Sequence, residues 1–417
     1  MRNRNMQITY FLTHPIQYQS PLIRHLYANG VDIEVCYASD ANSRSFYDAG
    51  FGKKIVWDIP LLEGYPHRIL NRDEPLGRRA QQVAHYTRQL DKVIQGKKPG
   101  AIWVHGWAHP FNAAVWSVAL RHQIPLMLRG ETFIGCVRGG RLKKLAHMLV
   151  FTRRFRKVAA FLAVGTLNRQ MYRAYGVPSG KIFDVPYAVD NFFFQRRCLE
   201  AAPHREQFRA ALGIESGRPV ILFCAKLIAV KDPATLIRAV GRLVNARQHG
   251  NHVLTNAATA GSAILKPVLL MVGDGALKPE LEALADEVAP GLVKFLGFRN
   301  QTELPALYDL CDLFVLPSIF EPWGLVVNEV MNAGKPVIVS DKVGSGSDLV
   351  RPGVNGDVFR AGDVDDLYAK MGRWLQNDAM RVDGGLESLK IIQNWGFVQD
   401  HLGLRAALNA LRERVLN

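Results

Sequence analysis

Along this chain of 417 residues, short runs of consecutive apolar residues alternate with stretches whose apolar residues recur every three or four positions. The first pattern fits strands buried on both faces, the second amphipathic helices. Gln7–Leu12, Asp32–Tyr37, Ala101–His105 and Pro125–Leu128 read as strands, with helical patterns at Pro21–Ala28 and Asn112–His122. A second series begins at Pro219–Cys224. It continues through Pro267–Val272, Val293–Leu296, Leu313–Leu316 and Pro336–Val339, with helical stretches at 233–246, 277–287, 303–310 and 325–333. Strands separated by helices predict parallel sheets with right-handed crossovers. Two such series predict an α/β fold of two doubly wound, Rossmann-like domains with a cleft between them, where ligands of open sheets bind beyond the strands' carboxyl ends.

The polar, irregular stretch 190–217 marks the boundary. It divides the chain into residues 1–190 and 191–399, with a C-terminal helix at about 400–417 crossing back to the first domain. Residues 245–266, rich in small residues and without period, read as an exposed loop extension.

Charge changes the picture more than composition does. Residues 1–195 hold 27 Lys/Arg against 12 Asp/Glu, whereas the remainder holds 25 of each, so the whole net charge of +15 sits in the N-terminal half. That asymmetry points to an anionic partner there: nucleic acid, an acidic membrane surface or an anionic acceptor. The five cysteines are scattered and form no C-x-x-C pair, which argues against a disulfide framework or a zinc site and predicts a cytoplasmic protein. The apolar run Ile8–Leu12 is too short for a signal segment, and no stretch reaches the roughly 20 apolar residues of a spanning helix.

The most informative segment is LPSIFEPWGLVVNEVMNAGKPVIVSD, residues 316–341. A strand ends at Pro317, a loop carries Glu321, and Gly324 opens a helix that holds Glu329 about one turn inside and stops at Gly334. The first amides of a helix lack intrahelical partners, so Gly324, Leu325 and Val326 can offer N–H groups to a diphosphate. Carboxylates cannot hold phosphate but accept hydrogen bonds from sugar hydroxyls on either side of it. Either Glu alone reads equally as a solvated surface charge.

This segment resembles the E-x7-E signature of the retaining glycosyltransferases of family 4, the group 1 glycosyltransferases of GT-B fold. The resemblance spans the C-terminal half: FCAKLIAVKDPATLIRAV (223–240), LLMVGDGALKPELEALA (269–285), VKFLGFRNQTELPALYDLCDLFVLPS (293–318) and VRPGVNGDVF (350–359). It implies that Glu321 binds hydroxyls of the transferred sugar and Glu329 the ribose diol. It further implies that Gly324 and Leu325 face the diphosphate, that Lys226 and Lys231 neutralise it, and that Gly297, Phe298 and Arg299 line the base pocket. The family has Gly-Arg where this chain has Ala225-Lys226, and lysine lacks the planar fork of arginine. The first domain would then bind the acceptor and the second the nucleotide sugar.

In the N-terminal half, His105 closes a strand and His109 precedes a helix; the resemblance implies that one of them approaches the sugar as a catalytic group, along with Glu321. Arg129 and Glu131 follow the next strand, either as an ion pair with each other or as readers of the acceptor or the sugar. The loop THPIQYQSPL (13–22) replaces the family's Gly-Gly turn and places His14, Gln17 and Tyr18 on the acceptor side. No D-x-D motif stands in a post-strand loop, so no metal and no cofactor is expected, only the nucleotide-sugar donor.

Residues 138–157, RGGRLKKLAHMLVFTRRFRK, combine eight basic residues with apolar ones at helical spacing and contain no acid. The segment reads as a helix packed by its apolar stripe or as a docking surface for an anionic membrane. The expectation is a retaining, metal-independent transfer of a hexosyl group from a UDP- or GDP-linked sugar to a glycan or lipid-linked acceptor. Such an enzyme would be cytoplasmic or peripheral on the inner membrane face and would serve cell-surface polysaccharide or glycolipid synthesis. Two alternatives stay open: a nucleotide-sugar epimerase of the same fold, or a basic protein binding nucleic acid or membrane. No helix-turn-helix, zinc finger or RNP motif supports a nucleic-acid partner.

Overall fold

The computed structural model describes residues 6–40, 43–74, 77–136, 139–245 and 266–416. Two compact units emerge. The first comprises Met1–Phe46, Ile55–Asp190 and Trp395–Asn417; the second comprises Tyr47–Lys54 and Asn191–Asn394. Nearly all of the 245–266 extension lies outside the described residues.

The first unit is built on seven parallel strands. In chain order they are β1 (Ile8–Leu12), β2 (Ile33–Ser39), β5 (His67–Asn71), β6 (Ala101–His105), β7 (Leu126–Arg129), β8 (Ala160–Ala163) and β9 (Ile182–Asp184). Their order across the sheet is β5-β2-β1-β6-β7-β8-β9, so the direction of winding reverses beside β1. β1 pairs with β2 from Ile8 opposite Ile33, and with β6 from Ile8 opposite Ala101. Helices cover both faces of the sheet at this central strand, which is why all five of its residues are buried and all but Thr9 are apolar.

One face packs on the helices Arg79–Gly96, Pro110–Arg121 and Thr166–Ala174 through Leu90, Phe111, Val115 and Tyr172. The other packs on Gln19–Ala28 and on the last helix, Phe397–Leu416, through Ile23, Leu26, Leu404 and Leu411. Gly403 makes that last contact close: a Cβ there would stand 1.7 Å from the Asp184 carbonyl oxygen.

The second unit has six parallel strands: β10 (Val220–Cys224), β11 (Val268–Val272), β12 (Val293–Gly297), β13 (Leu313–Leu316), β14 (Val337–Ser340) and β15 (Gly356–Phe359). They run in the order β12-β11-β10-β13-β14-β15, again reversing beside the first strand. The remaining strands, β3 (Phe46–Asp48) and β4 (Lys53–Ile55), form a two-stranded hairpin whose tip belongs to this unit. Among the described residues, no helix is long and apolar enough to cross a membrane.

Candidate functional site

In the second unit the candidate groups gather beyond the carboxyl ends of β10, β11, β12 and β13, where an open parallel sheet leaves strand-to-helix loops. After β13 the chain is pinned by backbone bonds to neighbouring loops. Ile319 N donates to Val230 O at 3.0 Å, Glu321 N to Lys342 O at 3.1 Å, and Gly344 N to Glu321 O at 2.9 Å. The Glu321 carboxylate is thereby held beside Lys231, whose ammonium donates to it. Both side chains are largely enclosed, at 13% and 20% exposure.

Gly324 then turns the chain into the helix Leu325–Met331 with φ +91°, a conformation that strains any residue with a Cβ. An added Cβ would also press on Leu316, Glu321 and Val343 at 3.1–3.3 Å. Trp323 locks the same turn, its indole N–H donating to Asn328 at 2.9 Å. Glu329 lies one turn further in, 8% exposed, and accepts a 2.5 Å hydrogen bond from the Tyr308 hydroxyl. Burial pushes its carboxyl up to about 7, while hydrogen bonds from Tyr308 and Gln301 pull the other way.

The loop after β10 carries Lys226, and it is not alone. Asp48, from the β3–β4 hairpin, accepts from the Lys226 ammonium through both carboxylate oxygens, at 2.8 and 2.9 Å. Asp48 also accepts the Gly50 and Phe51 amides. Burial opposes its ionised form, and the Lys226 and amide hydrogen bonds outweigh it, so the carboxyl stays below its usual range. Lys226 lies over the Phe51 ring, 4.8 Å from its centroid.

A second fastening joins Lys53 to Asp274 at 2.7 Å. Asp274 sits between Gly273 and Gly275, both at positive φ; a Cβ on Gly273 would stand 2.0 Å from the Ala225 carbonyl oxygen. Asp274 also accepts the Phe298 amide at 3.0 Å, and the Phe298 ring meets Phe51 edge-on at 4.9 Å. Gly297 turns the chain at φ +69°, and Arg299 pairs at 3.0 Å with Glu303, the residue before the helix Leu304–Leu310.

In the first unit the candidate residues separate. His105 is locked: Tyr10 Oη lies 3.2 Å from Nδ1 and Tyr187 Oη 2.8 Å from Nε2. Burial, aided by the Arg129 charge, pushes its imidazole down to about 3, so it stays neutral. Both ring nitrogens are thus engaged by tyrosines, while the residue keeps part of its surface exposed at the end of β6. His109 differs. It caps the helix Pro110–Arg121, its Nδ1 accepting from Phe111 N at 3.2 Å, and its Nε2 lies 3.3 Å from Glu74 on a side that keeps 27% exposure. His14 follows β1 with Nδ1 3.0 Å from Thr13 Oγ1, and both Glu74 and His109 act on it electrostatically. Burial, aided by His109 and opposed by Glu74, lowers its imidazole below the usual range. Gln17 stands half-buried in the turn that follows.

Arg129 is a correction. It is 0% exposed and donates to Asp400 at 2.8 Å and to the carbonyls of Val185 and Pro186. It therefore reads no acceptor. It ties the last helix to β7 and β9, and its charge is matched by a residue 271 positions away. Burial pushes the Asp400 carboxyl up to about 7 against the pull of Arg129. Glu131 is half-buried, and its charge raises the Tyr18 hydroxyl's pKa after burial has done most of that work.

Sequence reasoning missed Asp48, Phe51, Lys53, Asp274 and Tyr308. The G-D-G at 273–275 carried a local signal for Asp274. The hairpin residues carried none, because nothing in a short polar stretch says which distant sheet it will meet.

Residues 204–385 match the family model described as Glycosyl transferases group 1. An uncharacterised glycosyltransferase of Methanocaldococcus jannaschii is 27% identical over 214 residues, which covers 51% of this chain and 50% of that protein. A D-inositol 3-phosphate glycosyltransferase of Mycobacterium marinum is 31% identical over 176 residues, 42% of this chain and 34% of the relative. The chain thus spans about half, or less, of the length of these curated relatives. Among solved structures, Anabaena HepE in complex with UDP and glucose superimposes with a TM-score of 0.70 at 16% identity, covering 97% of this chain and 100% of that one. Sucrose-phosphate synthase from Thermosynechococcus elongatus does so with 0.70 at 18% identity, covering 98% and 100%. Residues 204–385 are, on this match, a group 1 glycosyltransferase domain, and the chain that carries them has the GT-B fold.

Proposed function

We propose that this protein is a retaining glycosyltransferase that moves a hexosyl group from a UDP- or GDP-linked sugar to a hydroxyl of a glycan or lipid-linked acceptor. The observation that carries the reading is the Lys231–Glu321 pair held beside the Gly324 turn. It places a cation, a carboxylate and helix-start amides within one loop system, which suits a diphosphate and the sugar it bears. Lys231 and Lys226 neutralise the diphosphate in place of a metal, and the amides of Gly324 and Leu325 add fixed dipoles. Glu321 accepts from sugar hydroxyls and Glu329 from the ribose. The relative crystallised with UDP and glucose favours a UDP-hexose.

In the reaction the acceptor hydroxyl attacks the anomeric carbon on the face from which the leaving group departs. The bond from that carbon to the diphosphate oxygen breaks through an oxocarbenium-like state. The hydroxyl proton passes to the departing phosphate oxygen, leaving a glycoside and a nucleoside diphosphate. We assign His109, which keeps 27% exposure, to the transferred sugar; His14, Gln17 and Glu131 serve the acceptor.

In the structure each donor lysine is already paired, Lys226 with Asp48 and Lys231 with Glu321. A diphosphate at Lys226 replaces the Asp48 carboxylate. We place the enzyme on the cytoplasmic membrane face, with the basic helix Arg141–Phe155 against anionic lipid. Of this helix only Phe155 is buried, and Leu142 is 85% exposed. Arg138 lies outside the described residues.

The test is release of nucleoside diphosphate from a panel of UDP- and GDP-hexoses, with Glu321→Ala as control. The variant is expected to lose two to three orders of magnitude in turnover, about 3–4 kcal/mol of transition-state stabilisation, with an unchanged circular dichroism spectrum. Retained turnover would overturn the donor assignment.

A further inference from the structure

A cavity of about 390 Å³ opens on the first unit beside the helices Pro110–Arg121 and Arg141–Phe155. Its apolar lining comes from Trp107, Trp116, Leu120 and Phe151. The aromatic part is rigid: Trp107 packs against Phe151 at 5.6 Å and Phe155 at 5.9 Å between ring centroids. The charged lining is entirely cationic, from Arg79, Arg153, Arg154 and Lys157. All four are exposed, and among the described residues none has a carboxylate partner. Arg79 is oriented by a 2.7 Å bond to the Ala108 carbonyl, and Arg154 lies over the Phe151 ring at 5.8 Å. The Trp116 indole N–H, shielded from solvent, has no acceptor among the described residues.

Four unpaired cations around an aromatic floor call for an anion attached to an apolar body. The neighbouring surface says which body. Leu149 and Val150 precede Arg153 and Arg154 by four residues, so helical spacing stacks an exposed apolar row directly before the cations. Leu142 and Leu145 extend that row for a further turn. A polar nucleobase would gain nothing from this row, whereas a hydrocarbon chain leaving the cavity would follow it.

We propose that this cavity binds the phosphorylated head of a lipid phosphate. The phosphate sits among Arg79, Arg153, Arg154 and Lys157, and the first carbons of the chain lie on Trp107, Trp116 and Phe151. Arginine's planar fork suits phosphate oxygens, and the partly enclosed site strengthens each charge-assisted bond. The inference rests on the lipid-linked acceptor proposed above and gives that acceptor a place to be held.

The experiment uses the full chain and three probes below micelle formation: farnesyl phosphate, inorganic phosphate and farnesol. Quenching of tryptophan fluorescence and titration calorimetry report binding. Farnesyl phosphate is expected to bind saturably and at least tenfold more tightly than either fragment. Arg153→Ala combined with Arg154→Ala is expected to weaken it at least tenfold, with Arg79→Ala, on another helix, as an independent variant. Donor hydrolysis without acceptor should stay unchanged in all of them.

Equal binding of inorganic phosphate or of farnesol would overturn the proposal, as would tighter binding of a short oligonucleotide or indifference to both sets of variants. Failure of the two readings separates cleanly. If farnesyl phosphate binds as expected but no sugar reaches any lipid-linked acceptor, the transfer reading fails and the cavity stands. If transfer proceeds equally in wild type and charge variants, the cavity fails and the transfer reading stands.

Discussion

Both units place charged residues at or just past the carboxyl end of a parallel strand and use them in opposite ways. In the first unit Arg129 ends β7 and is sealed: it has no exposed surface and pairs with Asp400 from the last helix. In the second, Lys226 and Lys231 follow β10, and their partners, Asp48 at the end of β3 and Glu321 in a loop, are still reached by solvent. The difference lies in what covers the strand end. A helix docked through Gly403 closes the first site, whereas loops turned by glycine keep the second open. A strand end in an open α/β sheet is therefore a place where function can be built, and burial decides whether it is.

Breaking each ion pair gives the largest contrast. Arg129→Met leaves Asp400 as a buried carboxylate without its partner and is expected to cost about 3–5 kcal/mol of stability by denaturant unfolding. Turnover of the remaining folded protein should hold. Adding Asp400→Leu should recover much of the loss, since an apolar pair replaces the ionic one. Lys231→Met should do the reverse: a hundredfold or greater fall in turnover at nearly unchanged stability. If Lys231→Met unfolds the protein and Arg129→Met only silences it, the comparison is inverted.

The buried carboxylates sharpen it through pH. Glu329 has its folded pKa raised to about 7, above that of a free glutamate. Its contribution to stability is thus full below about pH 4.5 and lost as pH rises through about 7. From this group alone, stability should fall by about 3 kcal/mol between pH 5 and pH 9. Glu329→Gln should flatten that slope in denaturation curves taken across the range. Part of the slope should persist, because Asp400 titrates in the same direction near the same pH.

The two histidines offer a smaller test. His109→Ala is expected to lower turnover about a hundredfold, the lower end for loss of a positioned side chain, and its loss as a helix cap should cost about 1 kcal/mol. His105→Phe should instead lower stability, by leaving the Tyr10 and Tyr187 hydroxyls without their bonds, and should spare turnover at a permissive temperature.

The smallest effect concerns the hairpin. Asp48→Asn removes the carboxylate that holds Lys226 and should lower the KM for the donor about two- to fivefold, the range of a partly exposed ion pair. An increase in KM would mean that the hairpin assists donor binding instead of competing with it.

Much of the fold was legible because buried parallel strands are apolar on both faces. β1, β6, β10, β11, β13 and β14 each appear as a largely apolar run ending at a turn or helix start. β5 and β9, at the edges of the first sheet, were not read, since His67–Asn71 and Ile182–Asp184 are short and mixed in polarity. The hairpin β3–β4 was missed for the same reason. Within the candidate donor site, Glu321, Gly324 and Glu329 could be named because one loop and one helix turn space them. Tyr308 could not, because it reaches Glu329 from another helix.

What the sequence determined by itself was local: the succession of strands and helices, the glycine turn at Gly324, and the excess of positive charge in the first 195 residues. Tertiary structure decided which polar residues are spent on folding. Arg129 and His105 looked as available as Lys231 and His109. Only the docking of a helix 271 residues away removed Arg129 from water, and only two tyrosines from elsewhere in the chain engaged both ring nitrogens of His105. The physical reason is that desolvation depends on what packs from elsewhere in the chain, and neither spacing nor residue type records it.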